Sequence, residues 1–332
     1  MTTPARTDTY RPGPAHEREA EPAPIRVGTR GSALALWQTH YVLDHLRVRA
    51  PGVAIAIEEI TTSGDRTQAL AVPLTQLGDK SMFVAELERA LLAGAIDLAV
   101  HSLKDLPGRL DPGLALAATP ERADPCDALV SRSGRRLADL PKGAVVATSS
   151  LRRRAQLLHL RPDLRIVEMR GNVDTRLRKA LAPDGPDATL LAVAGLERLG
   201  LGDRVTERLP ADVLVPAVGQ GALAVEIRAD DARMRRLLRQ IDHKRTRLAV
   251  TAERAALAAL GGGCQVPLGA YASVSADGET IRLIAVVASL DGAQLVRVER
   301  EGSARRPAAL GREVARELLR QGGSEILRAI LK

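Results

Sequence analysis

Aromatic rings are nearly absent from this chain: one Phe, one Trp and three Tyr in 332 residues. A core so poor in rings has to be filled by Leu, Val, Ile and Ala, which suits helices packed on sheets. Cysteine is scarcer still. Cys126 and Cys264 lie far apart with no Cys-x-x-Cys pairing, which excludes a disulfide framework and a structural zinc site and fits a reducing, cytoplasmic compartment. Long apolar runs are missing too. The longest, such as residues 188–196, are strand-sized and fall short of the roughly 20 residues of a spanning helix. Residues 1–24 hold five prolines and mixed charge without an apolar stretch, so they are no signal peptide and read as a disordered leader.

What remains is ordinary globular composition, 45% hydrophobic and 27% charged. At about 150 residues per domain, the length predicts two domains or three. From residue 25 the chain repeats strand, tight loop and helix. Residues 25–27 form a strand, 28–32 a small-residue turn, and Leu34, Trp37 and Tyr41 recur at helical spacing on the helix that follows. Residues 53–60 alternate as a strand and 61–78 are loop-rich. A helix over about 82–93 puts Phe83, Leu87 and Leu91 on one face and stops at Gly94. The continuous apolar strand 96–100, of the kind buried in a parallel sheet, opens into the polar loop 101–107.

Pro120 and Pro125 mark a crossing at 116–128, after which the same order returns. It runs through strand 144–147, a Thr148-Ser149-Ser150 helix cap, a stripe of Leu151, Ala155 and Leu158, and strands 165–169 and 188–194. Residues 216–221 (Pro-Ala-Val-Gly-Gln-Gly) read as a second crossing. From Arg245 the order changes to a helix, three strands joined by Asp277-Gly278 and Asp291-Gly292 hairpin turns, and an amphipathic helix over 310–319. The chain thus reads as two α/β units and one smaller α+β unit.

Lys and Arg number 48 against 40 Asp and Glu, and the net charge of +8 asks for an acidic partner: nucleic acid, a lipid surface or a small polyanion. The excess is focused. Residues 151–179 carry eight Arg and one Lys against three acids. Arg152 and Arg153 lie in the first turn of a helix, where cations oppose the dipole, beside the hydroxyls and free N–H groups of 148–150. Such convergence makes an anion site. Arg170 and Arg176 flank Gly-Asn-Val-Asp-Thr after a strand, where open α/β sheets bind ligands. No aromatic falls within 151–179, so single strands find no stacking platform, and no zinc-finger spacing or recognition helix appears. A compact polycarboxylate or phosphate fits better; a solvated helix face is the plainer reading of the same charges.

Two loops carry chemistry. His101-Ser102-Leu103-Lys104-Asp105 places imidazole, hydroxyl, ammonium and carboxylate at the end of a buried strand. Asp105 is the natural proton shuttle, or the counter-charge for a developing cation, unless the loop is an ordinary turn. His101, so close to the strand, equally suits a structural hydrogen bond. Cys264 follows three glycines and reads either as a nucleophile or attachment point on a tight loop, or as a buried small hydrophobe. Cys126 has no such setting and reads as incidental.

Seven blocks in unbroken order carry a resemblance: Gly28-Thr-Arg-Gly-Ser32, Thr62-Ser-Gly-Asp65, Val100–Pro107, Thr148–Arg153, Arg170–Arg176, Pro216–Gly221 and Gly262-Gly-Cys-Gln-Val-Pro267. From about residue 25 to the C-terminus the chain resembles the porphobilinogen deaminase (hydroxymethylbilane synthase) family. The resemblance implies a transferase of porphyrin and heme biosynthesis. Such an enzyme joins four porphobilinogen molecules head to tail, releases ammonia each time, and frees the linear tetrapyrrole hydroxymethylbilane by hydrolysis. It also implies a dipyrromethane cofactor, made from substrate and attached to Cys264 through a thioether, and no metal.

Residue by residue, Asp105 matches the catalytic carboxylate, which hydrogen-bonds pyrrole nitrogens and assists loss of ammonia. Ser102, Lys104, Asp105, Thr148, Ser149, Ser150, Arg152, Arg153, Arg170 and Gln220 match cofactor-binding positions. Arg30, Ser32, Lys80, Phe83, Arg170, Arg176 and Arg198 match substrate-binding positions. The implied fold is α/β in three domains. Two resemble type II periplasmic binding proteins, the first discontinuous (25–120 and 221–240) and the second over 126–216; a small C-terminal α+β domain over 244–332 bears the cysteine. The expected partners are porphobilinogen and the growing oligopyrrole, with no nucleic acid and no membrane, for a cytoplasmic monomer. Three positions depart from the family pattern: Ser81 where Gly is common in the mobile loop, Ala147 for a frequent Gly, and Cys126 where Arg is frequent. The alternative is a non-enzymatic two-lobed module that binds or senses a small polyanion. Such a module needs neither Cys264 on a glycine loop nor Asp105 facing the cleft.

Overall fold

The computed structural model describes residues 23–64, 84–261 and 266–330. Three sheets organise them. The first holds β1 (Ile25–Thr29), β2 (Ile55–Glu59), β3 (Leu98–Ser102), β4 (Leu114–Ala118) and, from far along the chain, β10 (Leu223–Arg228), in the order β2-β1-β3-β10-β4. The second holds β5 (Asp127–Ser131), β6 (Val145–Ala147), β7 (Arg165–Val167), β8 (Ala188–Ala192) and β9 (Glu207–Leu209), in the order β7-β6-β8-β5-β9.

These are one topology written twice. In each sheet four strands point the same way and one runs antiparallel to both its neighbours: β10 in the first, β5 in the second. Each of those two strands arrives directly from the other sheet, so two segments cross between the lobes. The result is the two-lobed, periplasmic-binding-protein-like arrangement. A third, antiparallel sheet of β11 (Leu268–Val274), β12 (Thr280–Ala288) and β13 (Leu295–Ser303) makes the small C-terminal α+β unit. Its hairpins turn at Gly278 and Gly292, both with φ near +75° (78° and 72°), where Asp-Gly was expected to turn.

The cores are aliphatic. No aromatic ring stands among the buried hydrophobic side chains described, and Leu, Val, Ile and Ala do nearly all the filling. At about 1.5–3 kcal/mol for each fully buried Leu- or Val-sized side chain, numbers replace ring size.

Two helices face otherwise than their spacing predicts. On α1 (Ala33–Arg49) the buried face is Gln38, Thr39, Val42, Leu43 and Leu46, whereas Trp37 is 37% exposed. Leu34 and Trp37 are turned towards the other lobe instead, since a Cβ added to Gly195 would lie 3.8 Å from Leu34 and Arg198 lies over Trp37, while Tyr41 packs against its own lobe's core. On α3 (Leu151–Leu160) the buried set is Arg152, Arg153, Ala155, Gln156 and Leu157, because this helix packs two guanidinium groups inward against Asp127.

The crossings lie side by side. Ala123 N–H donates to Gly221 O (3.2 Å), Arg122 Nε to Gln220 O (2.8 Å) and Gln220 Nε2 to Pro125 O (2.8 Å). Gly221 has φ +85°, and a Cβ there would sit 2.5 Å from Ala123 O, so only glycine fits. The third unit clasps this hinge through α7 (Lys244–Ala259). Its fully buried Glu253 accepts from Arg122, from Gly219 N–H (2.7 Å) and from Ala272 N–H (2.8 Å).

Candidate active site

β3 ends in a tight 3-10 turn, Leu103–Asp105. Leu103 and Leu106 are buried, and Leu103 packs on Gly219 of the hinge, so Ser102, Lys104 and Asp105 are left half-buried at the lobe boundary. Gln38 Nε2, from α1, donates to Ser102 Oγ at 2.8 Å and fixes the start of the turn. Here the lobes form a cleft, lined by Gln38, Ser102 and Lys104 on one side and Arg153, Arg176 and Arg198 on the other. A second concavity, lined by Ile25, Val53, Arg233, Arg236, Leu237 and Gln240, holds none of the predicted site residues.

The arginines divide into two kinds. Arg152 and Arg153, each 5% exposed, converge on the fully buried Asp127. Arg152 Nη1 donates to Asp127 Oδ2 (2.7 Å) and to Val215 O (2.8 Å); Arg153 donates from Nε (2.9 Å) and Nη2 (2.7 Å) to Asp127 Oδ1 and from Nη1 to Leu190 O (2.9 Å). Burial alone would raise the Asp127 carboxyl, but the two guanidinium groups and a bond from Gln220 Nε2 (2.9 Å) outweigh it and hold it far below the usual range. The expected anion at this helix start is therefore in part the chain's own. Arg153 still lines the cleft; Arg152 does not.

Arg176 and Arg198 are the other kind. Neither has a carboxylate at salt-bridge distance among the described residues. Burial pushes the Arg176 guanidinium down to about 10, with Arg153 and Arg170 adding to the fall and the Asp105 carboxylate opposing it. Its Nε is buried without a hydrogen-bond partner. Arg198 is likewise pushed to about 10 by burial and donates only to Gly221 O (2.7 Å). Both remain cationic at neutral pH. Asp105, close enough to Arg176 to act on it, makes no hydrogen bond or ion pair with another described residue.

The remaining predicted residues serve the backbone or lie nearby. Ser150 caps α3 by accepting from Arg153 N–H, Ser149 Oγ donates to Met169 O (2.9 Å), and Thr148 Oγ1 accepts from Ser150 N–H (3.2 Å). Ser32 caps α1. Arg30 follows β1 and Arg170 follows β7, both half-buried. Gln220 is a buried hinge residue bound to Pro125 and Asp127. Asp65, Lys80, Ser81, Phe83 and Cys264 lie outside the described residues; Cys264 falls between Gly261 (φ +64°) and the buried Val266. His101 Nε2 lies 3.1 Å from Glu226 Oε2, both buried, but neither atom makes a hydrogen bond, so the structural hydrogen bond that its place near the strand suggested is not formed. Burial, with Asp124 beside it, pushes the Cys126 thiol up to about 12, so it stays protonated and unreactive.

Sequence reasoning missed Asp127, Gln38, Glu226 and Glu253. Asp127 and Glu226 did leave a signal: an acid inside an apolar strand is seldom tolerated without a cation.

The two crossings and the arginine-lined cleft define a two-lobed α/β protein whose site between the lobes suits an anion. A family model described as "Porphobilinogen deaminase, dipyromethane cofactor binding domain" matches residues 25–236, and one described as "Porphobilinogen deaminase, C-terminal domain" matches residues 247–320. The porphobilinogen deaminase of Desulforudis audaxviator is 55% identical over 303 residues, 91% of this chain and 96% of that one. That of Roseiflexus castenholzii is 53% identical over 303 residues, 91% of this chain and 98% of that one. The chain belongs to the porphobilinogen deaminase family. It is a transferase that joins four porphobilinogen molecules with release of ammonia and hydrolyses the product to hydroxymethylbilane, and it has the family's dipyrromethane-binding domain. These matches give no support to the sensing module. Among the described residues no helix is long and apolar enough to cross a membrane.

Proposed function

We propose that the cleft between the lobes is the reaction site and that Cys264 Sγ holds the dipyrromethane as a thioether. One observation carries this reading: Arg176 and Arg198 are half-buried cations lining the cleft with no carboxylate at salt-bridge distance among the described residues, and Asp105 stands near enough to Arg176 to act on its charge. A guanidinium taken out of water costs several kcal/mol unless an anion joins it, so these positions suit carboxylates that arrive with a ligand. Each pyrrole unit brings an acetate and a propionate. Arg153, Arg170, Lys104 and Ser102 are assigned to the cofactor's acids, together with Thr148, Ser149, Ser150, Arg152 and Gln220, which shape the α3 start and the hinge. Arg30, Ser32, Lys80, Phe83, Arg170, Arg176 and Arg198 are assigned to the incoming substrate.

When bound, the dipyrromethane supplies the free pyrrole terminus from which the chain grows. Asp105 accepts hydrogen bonds from pyrrole N–H groups, and its carboxylate offsets the positive charge that develops as ammonia leaves. The lobes shield the reacting carbon from water until the last step. The focused charge suits a small polyanion in place of nucleic acid or a membrane surface, and the protein is assigned as a cytoplasmic monomer. The test is Asp105→Ala. Turnover is expected to fall by about 10²–10⁴, the range for a lost acid–base group, while substrate-derived adducts still form. Normal turnover in that variant would remove Asp105 from its role.

A further inference from the structure

The chain's only Trp is not in a core. Trp37 stacks on Tyr41 (centroids 5.3 Å apart, planes at 14°), and Tyr41 meets His45 (4.2 Å, 40°), so three rings spaced four residues apart run along one side of α1. Trp37 is 37% exposed, and its neighbours on this side are half-buried or exposed. Packing accounts for Tyr41, a half-buried ring set against the first lobe's core, but not for Trp37, which joins no core among the described residues. Its position offers a better reason. Leu34 and Gln38 of the same helix line the cleft, and Arg198 both lines the cleft and lies over the Trp37 ring, its Cζ 5.6 Å from the centroid. The ladder therefore begins where the cleft ends, and Arg198 joins the two.

We infer that Trp37 and Tyr41 form an outer stacking subsite for the later rings of the growing oligopyrrole, with Arg198 taking a carboxylate at the junction. The inference rests on the deaminase reading. Each addition lengthens the bound chain by one flat, electron-rich ring bearing two carboxylates. A stacked aromatic platform beside a cation with no carboxylate of its own complements both features of that occupant. The first additions sit beside Asp105 and do not need the ladder; the last ones push earlier rings out to it.

Because Trp37 is the sole tryptophan, emission excited selectively from tryptophan reports this position alone. Cofactor-loaded protein is titrated with porphobilinogen, the loaded species are counted by intact mass, and emission is read on the same samples. Fluorescence is expected to hold steady through the first addition and to fall with the third and fourth. Trp37→Ala is expected to slow the third and fourth additions about five- to tenfold relative to the first, the scale of one lost stacking contact, with Trp37→Phe restoring the ratio. Emission insensitive to loading, or a Trp37→Ala protein whose additions are slowed equally from the first, would overturn the subsite. A dimer that dissociates in Trp37→Ala would also overturn it, by giving the ladder to a second copy. Wild-type protein that forms no series of loaded masses would overturn the deaminase reading itself, and the subsite with it.

Discussion

Asp127→Asn tests the division of the arginines most sharply. The substitution keeps the shape of the side chain and removes its charge, leaving Arg152 and Arg153, each 5% exposed, without an anion. Breaking a buried pair by removing one partner costs about 3–5 kcal/mol. One carboxylate here serves two guanidinium groups, but Val215 O and Leu190 O still accept from them, which favours the lower end of that range. At roughly 2–4 °C per kcal/mol for a chain segment of this size, a loss of about 3 kcal/mol lowers the melting temperature by about 6–12 °C. Circular dichroism melts at neutral pH read this directly. The pH dependence adds a second check. The folded Asp127 carboxyl lies below its unfolded value, so its contribution is complete above the unfolded pKa of about 3.9 and is lost as pH falls through the folded value. The gap between wild type and variant should hold from neutral pH down to about pH 5 and close only in strong acid. A variant that melts with the wild type, or a gap that widens on acidification, would refute the reasoning.

Two further outcomes follow from the same geometry. Arg176→Gln removes a half-buried cation with no carboxylate at salt-bridge distance among the described residues, so KM should rise about 10- to 100-fold, the worth of a charge-assisted bond, while the melting temperature stays level or rises. Steady-state kinetics beside a melt would check both halves. Gly221→Ala forces a residue with φ +85° to carry a Cβ 2.5 Å from Ala123 O, so the urea midpoint should fall by the equivalent of at least about 1–3 kcal/mol.

The architecture was legible because its punctuation is local. Asp277-Gly278 and Asp291-Gly292 turn where they must, the apolar strands at β3 and β8 are continuous, and the two crossings carry their prolines and glycines. Helix faces were less legible. Spacing finds a stripe such as Leu34–Trp37–Tyr41, but a helix set between two lobes has apolar residues on both sides, and periodicity does not say which side meets its own sheet. The cleft's turn at 101–107 was found from its chemistry. The fate of Arg152 and Arg153 was not, since their partner Asp127 lies some 25 residues away in sequence and joins them only through the β5–β8 pairing and the packing of α3. Charge counted along the chain marked nine cations as one patch; folding satisfies some internally and leaves others for the ligand.

Everything proposed for the cleft depends on a dipyrromethane held covalently on Cys264. The intact mass of the purified protein tests it most directly. The expected result is an excess over the sequence mass equal to one dipyrromethane, absent in Cys264→Ser. An active wild-type protein at its bare sequence mass would contradict it.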